Sequence, residues 1–506
     1  MGEPHTPLPG GGAVGGPAPE DALATAWGGG SPAARGPAGP EAFGDLAIVL
    51  HSHMPYVEGF GTYPFGEEWL FDAVIRSYLP VLEVAERLTM TITPVLADQL
   101  EDAGVRERLR RFLTEWRIAA AAADLDDVDE ECRDACLAEH ERYSHALELL
   151  DADGGDPLRP FQRAAAEGRI ALATSAATHA VLPLLATRPG LRLQLETGIR
   201  SHRRRFGWQG GFWLPECAYA PGLEWSLAEQ GVEWFCIDQS RHRQSLDALA
   251  PVATEAGPVA LQIDWEAIQW LWSLGGYPSD PAHAQFAGES LRGVRIWKVG
   301  GGDYDPAAAA AVARRQAGEF LAATAARLRE YSASRKRRGL LVFAIDTELL
   351  GHWWSEGPIW LREVLAGAEA AGVRLLTVPE ALAEHEPLQQ PLHASTWGEE
   401  KDLRTWDSPA VADLAWGARR LELRLLRALS SGLRGDAAKR AARELLATQS
   451  SDWAFLDQRR QAGDYAYKRA ISHSEAALEA IDSPAIADPR TRALAPDLNL
   501  SPLLKP

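Results

Sequence analysis

The stretch Leu-Val-Phe-Ala-Ile-Asp at residues 341–346 places an acid directly after a short apolar run. A second stretch, Phe-Trp-Leu-Pro-Glu at residues 212–216, does the same. Short apolar runs that are followed by polar residues are typical of buried strands. The two stretches therefore predict two strands that each carry an acid, Asp346 or Glu216, at the carboxyl end.

Apolar runs of the same kind recur along the chain. They lie at residues 46–50, 92–96, 170–173, 234–237, 259–263, 294–299 and 373–378. Between many of them the apolar residues follow helical periodicity, at residues 74–88, 221–230, 307–331 and 359–370. Strands that alternate with helices form a parallel sheet covered by helices. Because polar residues gather where the strands end, a closed β/α barrel with its site on that face is the simplest arrangement.

Three segments depart from this alternation. Residues 1–43 consist mostly of Gly, Pro and Ala and are predicted to be disordered. Residues about 99–165 are helical and charged, which predicts an insertion in a barrel domain that spans residues 44–385. From residue 386 to 506, amphipathic periodicity predicts a C-terminal helical domain, which begins with a Trp-rich loop that reaches the cleft.

Composition excludes several classes of protein. The 506 residues carry 51 Lys and Arg against 70 Asp and Glu, a net charge of −19 that opposes nucleic acid as a partner. Four cysteines, too few for a disulfide scaffold, fit reduced thiols. The chain has no long apolar run and no secretory signal pattern. We therefore expect a cytoplasmic protein without a membrane partner.

Glu216 and Asp346 are the candidate catalytic residues. Two acids at strand ends among aromatic rings suit the cutting and rejoining of bonds between sugars, because protonating the leaving oxygen and attacking the anomeric carbon each need one carboxyl group. An isolated Glu216 would be interpreted as a solvated loop residue. Trp213 and Tyr219, however, lie beside it and offer flat surfaces for sugar rings. An isolated Asp346 would be interpreted as a helix N-cap. The aromatic cluster that starts at His352 favours a sugar-binding site instead.

The pair His51 and His53 lies where the first strand is predicted to end, and its spacing points both rings to one side. The pair could hold a metal, hydrogen-bond sugar hydroxyls or be buried as a structural pair. No further His pair at helical ligand spacing supports the metal alternative.

Tryptophan occurs 18 times, more often than Phe or Tyr, so several rings are expected to face ligand. Those in loop-like or polar contexts are Trp270, Trp272, Trp397, Trp406 and Trp453. Trp116 and Trp416 sit at helical spacing and are interpreted as packing residues. Asp452, beside Trp453, is either an exposed helix acid or a sugar ligand.

Five segments, in order, resemble the motifs of glycoside hydrolase family 57, in particular those of its 1,4-α-glucan branching enzymes. They are His51-Ser-His-Met-Pro-Tyr56, residues 173–179 with 182–185, residues 212–219, residues 344–353 and Ser451-Asp-Trp453. The resemblance runs from residue 46 to residue 467. It implies a (β/α)7 barrel with a helical insertion and a C-terminal all-helical domain.

The resemblance also implies an activity. Glu216 would be the nucleophile and Asp346 the general acid/base of a retaining mechanism that uses neither a metal nor another cofactor, with the two carboxyls about 5–5.5 Å apart. The expected partner is an α-1,4-glucan polysaccharide, which the enzyme would branch through α-1,6 linkages. The expected substrate-binding residues are His51, His53, His179, Trp213, Tyr219, Trp270, Trp272, His352, Trp397, Trp406, Asp452 and Trp453.

One departure from the family pattern leaves alternatives open. The branching enzymes carry a long loop with a Tyr after the fifth strand, whereas residues 238–262 are short and contain no Tyr. An α-1,4-glucan hydrolase on the same scaffold is therefore the nearest rival. A metal-dependent polysaccharide deacetylase and a catalytically silent glucan-binding protein are more distant alternatives.

Overall fold

The computed structural model describes residues 42–59, 61, 65–242, 245–485 and 492–505. Residues 1–41, which make up nearly all of the segment predicted to be disordered, lie outside this part of the chain.

A closed barrel of seven parallel strands forms the centre of the molecule. The strands of the described ranges, seven of which form the barrel, are β1 (Gly44–Ser52), β2 (Leu88–Ile92), β3 (Ile170–Ser175), β4 (Gly211–Trp213), β5 (Trp234–Ile237), β6 (Val252–Ala253), β7 (Val259–Gln262), β8 (Gly339–Asp346), β9 (Val373–Leu375) and β10 (Leu388–Gln389). The barrel runs in the order β8-β1-β2-β3-β4-β5-β7. A parallel bridge between Ile263 and Val342 closes it, and the backbone N–H of Asp264 donates to the Val342 carbonyl at 2.9 Å.

Three short strands lie outside the ring. β6 pairs antiparallel with β7, β10 pairs with β6, and β9 pairs with the first residues of β1. Within the ring, all nine residues of β1 are buried, as expected for a parallel strand that is covered on both faces. Because all seven strands are parallel, their carboxyl ends, and the side chains that follow them, meet at one edge.

Helices cover the barrel and build the rest of the fold. Those of the barrel and insertion are Glu67–Ala73, Leu79–Val84, Pro94–Glu101, Ala103–Arg111, Ala119–Asp127, Glu130–Ala152, Arg159–Ala166, Arg188–Phe206, Leu223–Glu229, Trp265–Trp272, Pro306–Arg335, Gly357–Gly367 and Val378–Glu384. The C-terminal helices are Ala412–Ser430, Gly435–Thr448, Ser451–Arg459, Tyr465–Asp482 and Ser501–Leu504. The predicted (β/α)7 barrel with a helical insertion and a C-terminal helical domain is confirmed.

Two predicted strands are wrong. Residues 94–101 are helical, and the strand is β2, which ends at Ile92. Pro94 explains the shift, because a proline at the first helical position presets φ and has no N–H to lose. Residues 294–299 form only isolated antiparallel bridges, among them Glu289 with Arg295 and Trp297 with Asp303. A turn with positive φ at Gly301 and Gly302 follows this segment.

None of the helices in the described ranges combines the length and apolar character needed to cross a membrane.

Candidate active site

Glu216 lies in a tight turn at the carboxyl end of β4. Its φ of 59° and the φ of 49° at Cys217 put two consecutive residues in the left-handed region, which residues with a Cβ rarely adopt. The carbonyl of Glu216 accepts a hydrogen bond from the backbone N–H of Trp397 at 3.0 Å. Strained backbone of this kind persists only where its surroundings hold it, and it concentrates at functional sites.

Both carboxyl oxygens of Glu216 accept a hydrogen bond. The indole Nε1–H of Trp397 donates to Oε2 at 2.9 Å, and the Ser451 hydroxyl donates to Oε1 at 2.8 Å. Burial raises the pKa of Glu216, while these two donors oppose the rise because they stabilise the charged form. The arrangement suits a carboxylate that stays ionised with both oxygens fixed.

A chain of hydrogen bonds leads from β2 to Glu216. His51 Nδ1 lies 2.5 Å from Thr91 Oγ1, His51 Nε2 lies 3.0 Å from His179 Nε2, and His179 Nδ1 lies 2.8 Å from Ser451 Oγ. Burial lowers the pKa of both histidines well below the ordinary range, so both rings are neutral.

Neutral rings fix the direction of the whole chain, because each ring has one donor and one acceptor nitrogen. Ser451 gives its proton to Glu216 and therefore accepts from His179 Nδ1–H. His179 Nε2 must then accept from His51 Nε2–H, and His51 Nδ1 must accept from the Thr91 hydroxyl. Every donor in the chain thus points toward the carboxylate of Glu216.

The environment of Asp346 is opposite to that of Glu216, because it favours the protonated carboxyl. It ends β8 beside His51 of β1, with which it is in register, so it lies at the same edge of the barrel as Glu216. In the described part of the chain its carboxyl makes no hydrogen bond and does not cap the following turn, so the N-cap interpretation is wrong. Burial, followed by the charges of Glu348, Glu216 and Asp452, raises its pKa well above the ordinary range. Asp346 is therefore suited to hold a proton.

Glu348, His53 and Asp452 form a second charged group beside Asp346. The His53 backbone N–H donates to Glu348 Oε1 at 3.0 Å, and the Tyr78 hydroxyl donates to the same oxygen. His53 Nε2 lies 3.1 Å from both carboxyl oxygens of Asp452. Burial raises the pKa of Glu348 to about 7. Burial opposes protonation of His53, but the carboxyls of Asp452, Glu348 and Glu216 together outweigh it and raise the pKa of that ring.

Models of two known families match the chain. The model of glycosyl hydrolase family 57 matches residues 47–263, and the model of the 1,4-alpha-glucan branching enzyme C-terminal domain matches residues 418–495. The 1,4-alpha-glucan branching enzyme of Thermococcus kodakarensis is 31% identical over 493 residues, which cover 85% of this chain and 72% of that protein. The chain belongs to glycosyl hydrolase family 57.

Two further relatives are similar to the chain. A probable 1,4-alpha-glucan branching enzyme of Mycobacterium tuberculosis is 32% identical over 488 residues, which cover 86% of this chain and 91% of that protein. The crystal structure of the branching enzyme of Pyrococcus horikoshii superposes with a TM-score of 0.85 at 29% identity, covering 91% of this chain and 97% of that chain. The family resemblance found in the motifs is confirmed.

The structure gathers half of the expected substrate-binding residues of this family 57 protein around Glu216. They are His51, His53, His179, Trp213, Trp397 and Asp452. The Trp213 ring is fully buried and stacks on His51 at 4.5 Å, so it supports the histidine and has no free face for a sugar. Trp397 is partly exposed beside it, with its ring edge-on to Trp213 at 5.1 Å.

The other expected residues lie away from Glu216 or are packed. Tyr219 is buried against Phe235 and donates to Glu224, and His352 is buried below the loop that follows β8. Trp406 and Trp453, which are also expected to face ligand, have buried rings. Trp406 packs against Val181 and Ala218, and Trp453 packs among the C-terminal helices. Trp270 and Trp272 are exposed on the helix that follows β7.

Sequence reasoning missed Thr91, the first donor of the hydrogen-bond chain, and three further residues of the site. Ser451 and Glu348 were part of recognised motifs but were not singled out, and Tyr78 carried no signal because it lies in an apolar helical stretch. Ser451 comes from the C-terminal helices, far along the chain from Glu216. Asp452, which follows Ser451 and was a candidate sugar ligand, was the signal that could have identified Ser451. A serine next to a ligand at the start of a helix can direct its hydroxyl into the same site.

The histidines do not form a metal-binding group. Across the described ranges, no three His, Cys, Asp or Glu side chains are placed to hold a metal ion together. His51 and His179 instead use both ring nitrogens in the hydrogen-bond chain.

The direction of the hydrogen-bond chain can be observed directly. Neutron diffraction from crystals exchanged into D₂O should place deuterium on His51 Nε2 and His179 Nδ1, with none on His51 Nδ1 or His179 Nε2. Deuterium on His179 Nε2 would reverse the chain and leave Ser451 without its donor. His53, which faces Asp452 and has a raised pKa, serves as an internal control and should carry deuterium on both nitrogens in crystals kept at about pH 6.

Proposed function

We propose that the protein is a 1,4-α-glucan branching enzyme with a retaining mechanism. The observation that carries the proposal is the contrast between two acids at one edge of the barrel. Glu216 receives hydrogen bonds on both oxygens, whereas Asp346 receives none within the described residues and faces three other carboxyls. Family 57 membership and the match of residues 418–495 to the branching enzyme C-terminal domain support it.

In the first step, Glu216 attacks the anomeric carbon of an α-1,4-linked chain. A bond forms between that carbon and a carboxyl oxygen of Glu216, and the bond to the leaving oxygen breaks. Asp346 gives its proton to that oxygen, which departs as the hydroxyl of the shortened chain. The fixed carboxylate of Glu216 is suited to attack, because its orientation is set before substrate arrives.

In the second step, the loss of charge on Glu216 changes Asp346. The charge of Glu216 is one cause of the raised pKa of Asp346. Once Glu216 is an ester, that charge is gone and the pKa of Asp346 falls, so Asp346 can act as a base. It takes the proton of the 6-hydroxyl of another glucan, whose oxygen then bonds to the anomeric carbon and releases Glu216.

Water competes with the glucan for the same intermediate, so hydrolysis is the second candidate function. The connection from β5 to β7 favours this rival, because it is short and has no Tyr to cover the cleft. On the other side, the Trp397 loop is held over β5 by an ion pair between Lys401 and Asp238 at 2.8 Å. A partly buried loop that contacts Glu216 helps to exclude water.

Linear amylose distinguishes the two functions. The wild-type protein should form α-1,6 linkages, measured by ¹H NMR and by isoamylase digestion, without a matching rise in reducing ends. Glu216→Gln should lower the formation of both products by at least about a thousandfold, because the nucleophile is lost. Reducing ends that accumulate without α-1,6 linkages would contradict branching and favour the hydrolase.

The pH dependence tests the role of Asp346. The charge of Glu348 helps to raise the pKa of Asp346, so Glu348→Gln should lower that pKa and move the alkaline limb of kcat/KM to lower pH. The amide oxygen can still accept from the His53 N–H. Glu444→Gln is the control, because Glu444 is a buried acid that pairs with His473 in the C-terminal helices. This variant should leave the alkaline limb of kcat/KM at the same pH. An alkaline limb that stays in place in Glu348→Gln would count against Asp346 as the acid.

A further inference from the structure

Two exposed aromatic rings stack on each other at the rim of the barrel. The rings of Phe286 and Trp353 lie 4.7 Å apart at an angle of 26°, and the residues are 39% and 48% exposed. Trp353 belongs to the loop that follows β8, and Phe286 belongs to the connection between the helix after β7 and the helix Pro306–Arg335. We call these two rings the rim platform.

The rim platform is held firmly from below. The buried guanidinium of Arg295 lies 5.0 Å from the Phe286 ring and donates to the His352 carbonyl at 2.6 Å and to Ser355 Oγ at 2.9 Å. The His352 ring lies edge-on to both rings of the platform. A rigid platform loses little entropy when a ligand binds to it.

The turn that presents Trp353 is fixed by a glycine. Gly351 has a φ of 100°, and a Cβ at this position would lie 1.8 Å from the backbone oxygen of Arg76. Only glycine fits this close approach. Two hydrogen bonds complete the turn, from Gly351 N–H to the Trp354 carbonyl at 2.8 Å and from Trp353 N–H to the Glu348 carbonyl at 3.0 Å.

The same hydrogen bonds set the position of the rim platform relative to the acids. Trp353 is bonded through its backbone to Glu348, and the Glu348 carboxyl accepts from the backbone of His53 in the site. Glu348 follows Asp346 by two residues at the end of β8. The platform therefore lies on the Asp346 side of the cleft, whereas Glu216 enters from β4 across the barrel.

We propose that the rim platform is a stacking subsite for glucosyl units on the leaving-group side of the bond that is cut. The inference rests on the proposed function, which makes Asp346 the proton donor to the leaving oxygen. The chain attached to that oxygen must pass on the side of Asp346, and the acceptor chain must later enter from the same side. The platform holds first the departing chain and then the acceptor.

The chemistry of the rim platform fits a neutral glucan. Two flat apolar rings offer stacking to the C–H faces of glucose. The Arg295 cation is buried beneath Phe286 and is already bonded to His352 and Ser355. An anionic ligand would find no free cation among these residues. A glucan also matches the polymer on which the neighbouring acids are proposed to act.

Two glycosyl-donor substrates distinguish binding on the leaving-group side of the cleft from binding on the other side. Amylose occupies both sides, whereas α-maltotriosyl fluoride has fluoride as its leaving group and no sugar there. Trp353→Ala should lower kcat/KM for amylose about tenfold more than kcat/KM for the fluoride, as expected for the loss of one stacking contact. Trp353→Phe, which keeps a ring, should recover most of that difference.

Trp208→Ala is the matched control. Trp208 is a half-buried indole that precedes β4 at the opposite edge of the barrel, where its Nε1–H donates to the Gly211 carbonyl at 2.8 Å. Its removal should change both donors by the same factor, whatever it does to stability.

Equal losses with both donors in Trp353→Ala, or a larger loss with the fluoride, would overturn the subsite. A failure of the proposed function would be observed in the wild-type protein, not in the variant. A wild-type protein that cleaves amylose without forming α-1,6 linkages would be a hydrolase. In that case the larger loss with amylose in Trp353→Ala would still support the rim platform.

Discussion

The proposed mechanism requires two carboxyl groups at one edge of a barrel to be in opposite charge states. Proximity alone cannot do this, because like charges raise each other's pKa and both groups are buried. The protein separates them through hydrogen bonds. Glu216 lies at the end of a chain of donors from Thr91 through two neutral histidines and Ser451, while the pKa of Asp346 is raised by burial and by the charges of Glu348, Glu216 and Asp452.

The barrel alone does not complete this arrangement. β1, β2 and β3 or the loops that follow them supply His51, Thr91 and His179, but the last donor, Ser451, begins a C-terminal helix. The second donor to Glu216, Trp397, comes from the loop between the barrel and those helices. The charge state of Glu216 therefore depends on the docking of the C-terminal helices, which couples the two parts of the fold.

The sequence predicted the barrel well, because fully buried parallel strands are continuous apolar runs and their carboxyl ends must meet. It failed where one residue outweighed the pattern, as at Pro94, which converted an apolar run into a helix. The acids and the two histidines of β1 could be identified from their positions after strands. The roles of the tryptophans could not, because the context of Trp453 in sequence is polar while its ring packs against Tyr465 and Ala470 of the next helix once the two helices fold together. Ser451 became recognisable only through its contact with Glu216.

The central claim is that Glu216 is the nucleophile, and a trapped intermediate tests it most directly. Asp346→Asn lacks the proposed base for the second step, but α-maltotriosyl fluoride needs no proton to lose its leaving group, so the ester should accumulate. Mass spectrometry of peptic peptides should then find one maltotriosyl group on the peptide that contains residues 213–219, attached at Glu216. A group attached at Glu348 or Asp452 instead would contradict the account.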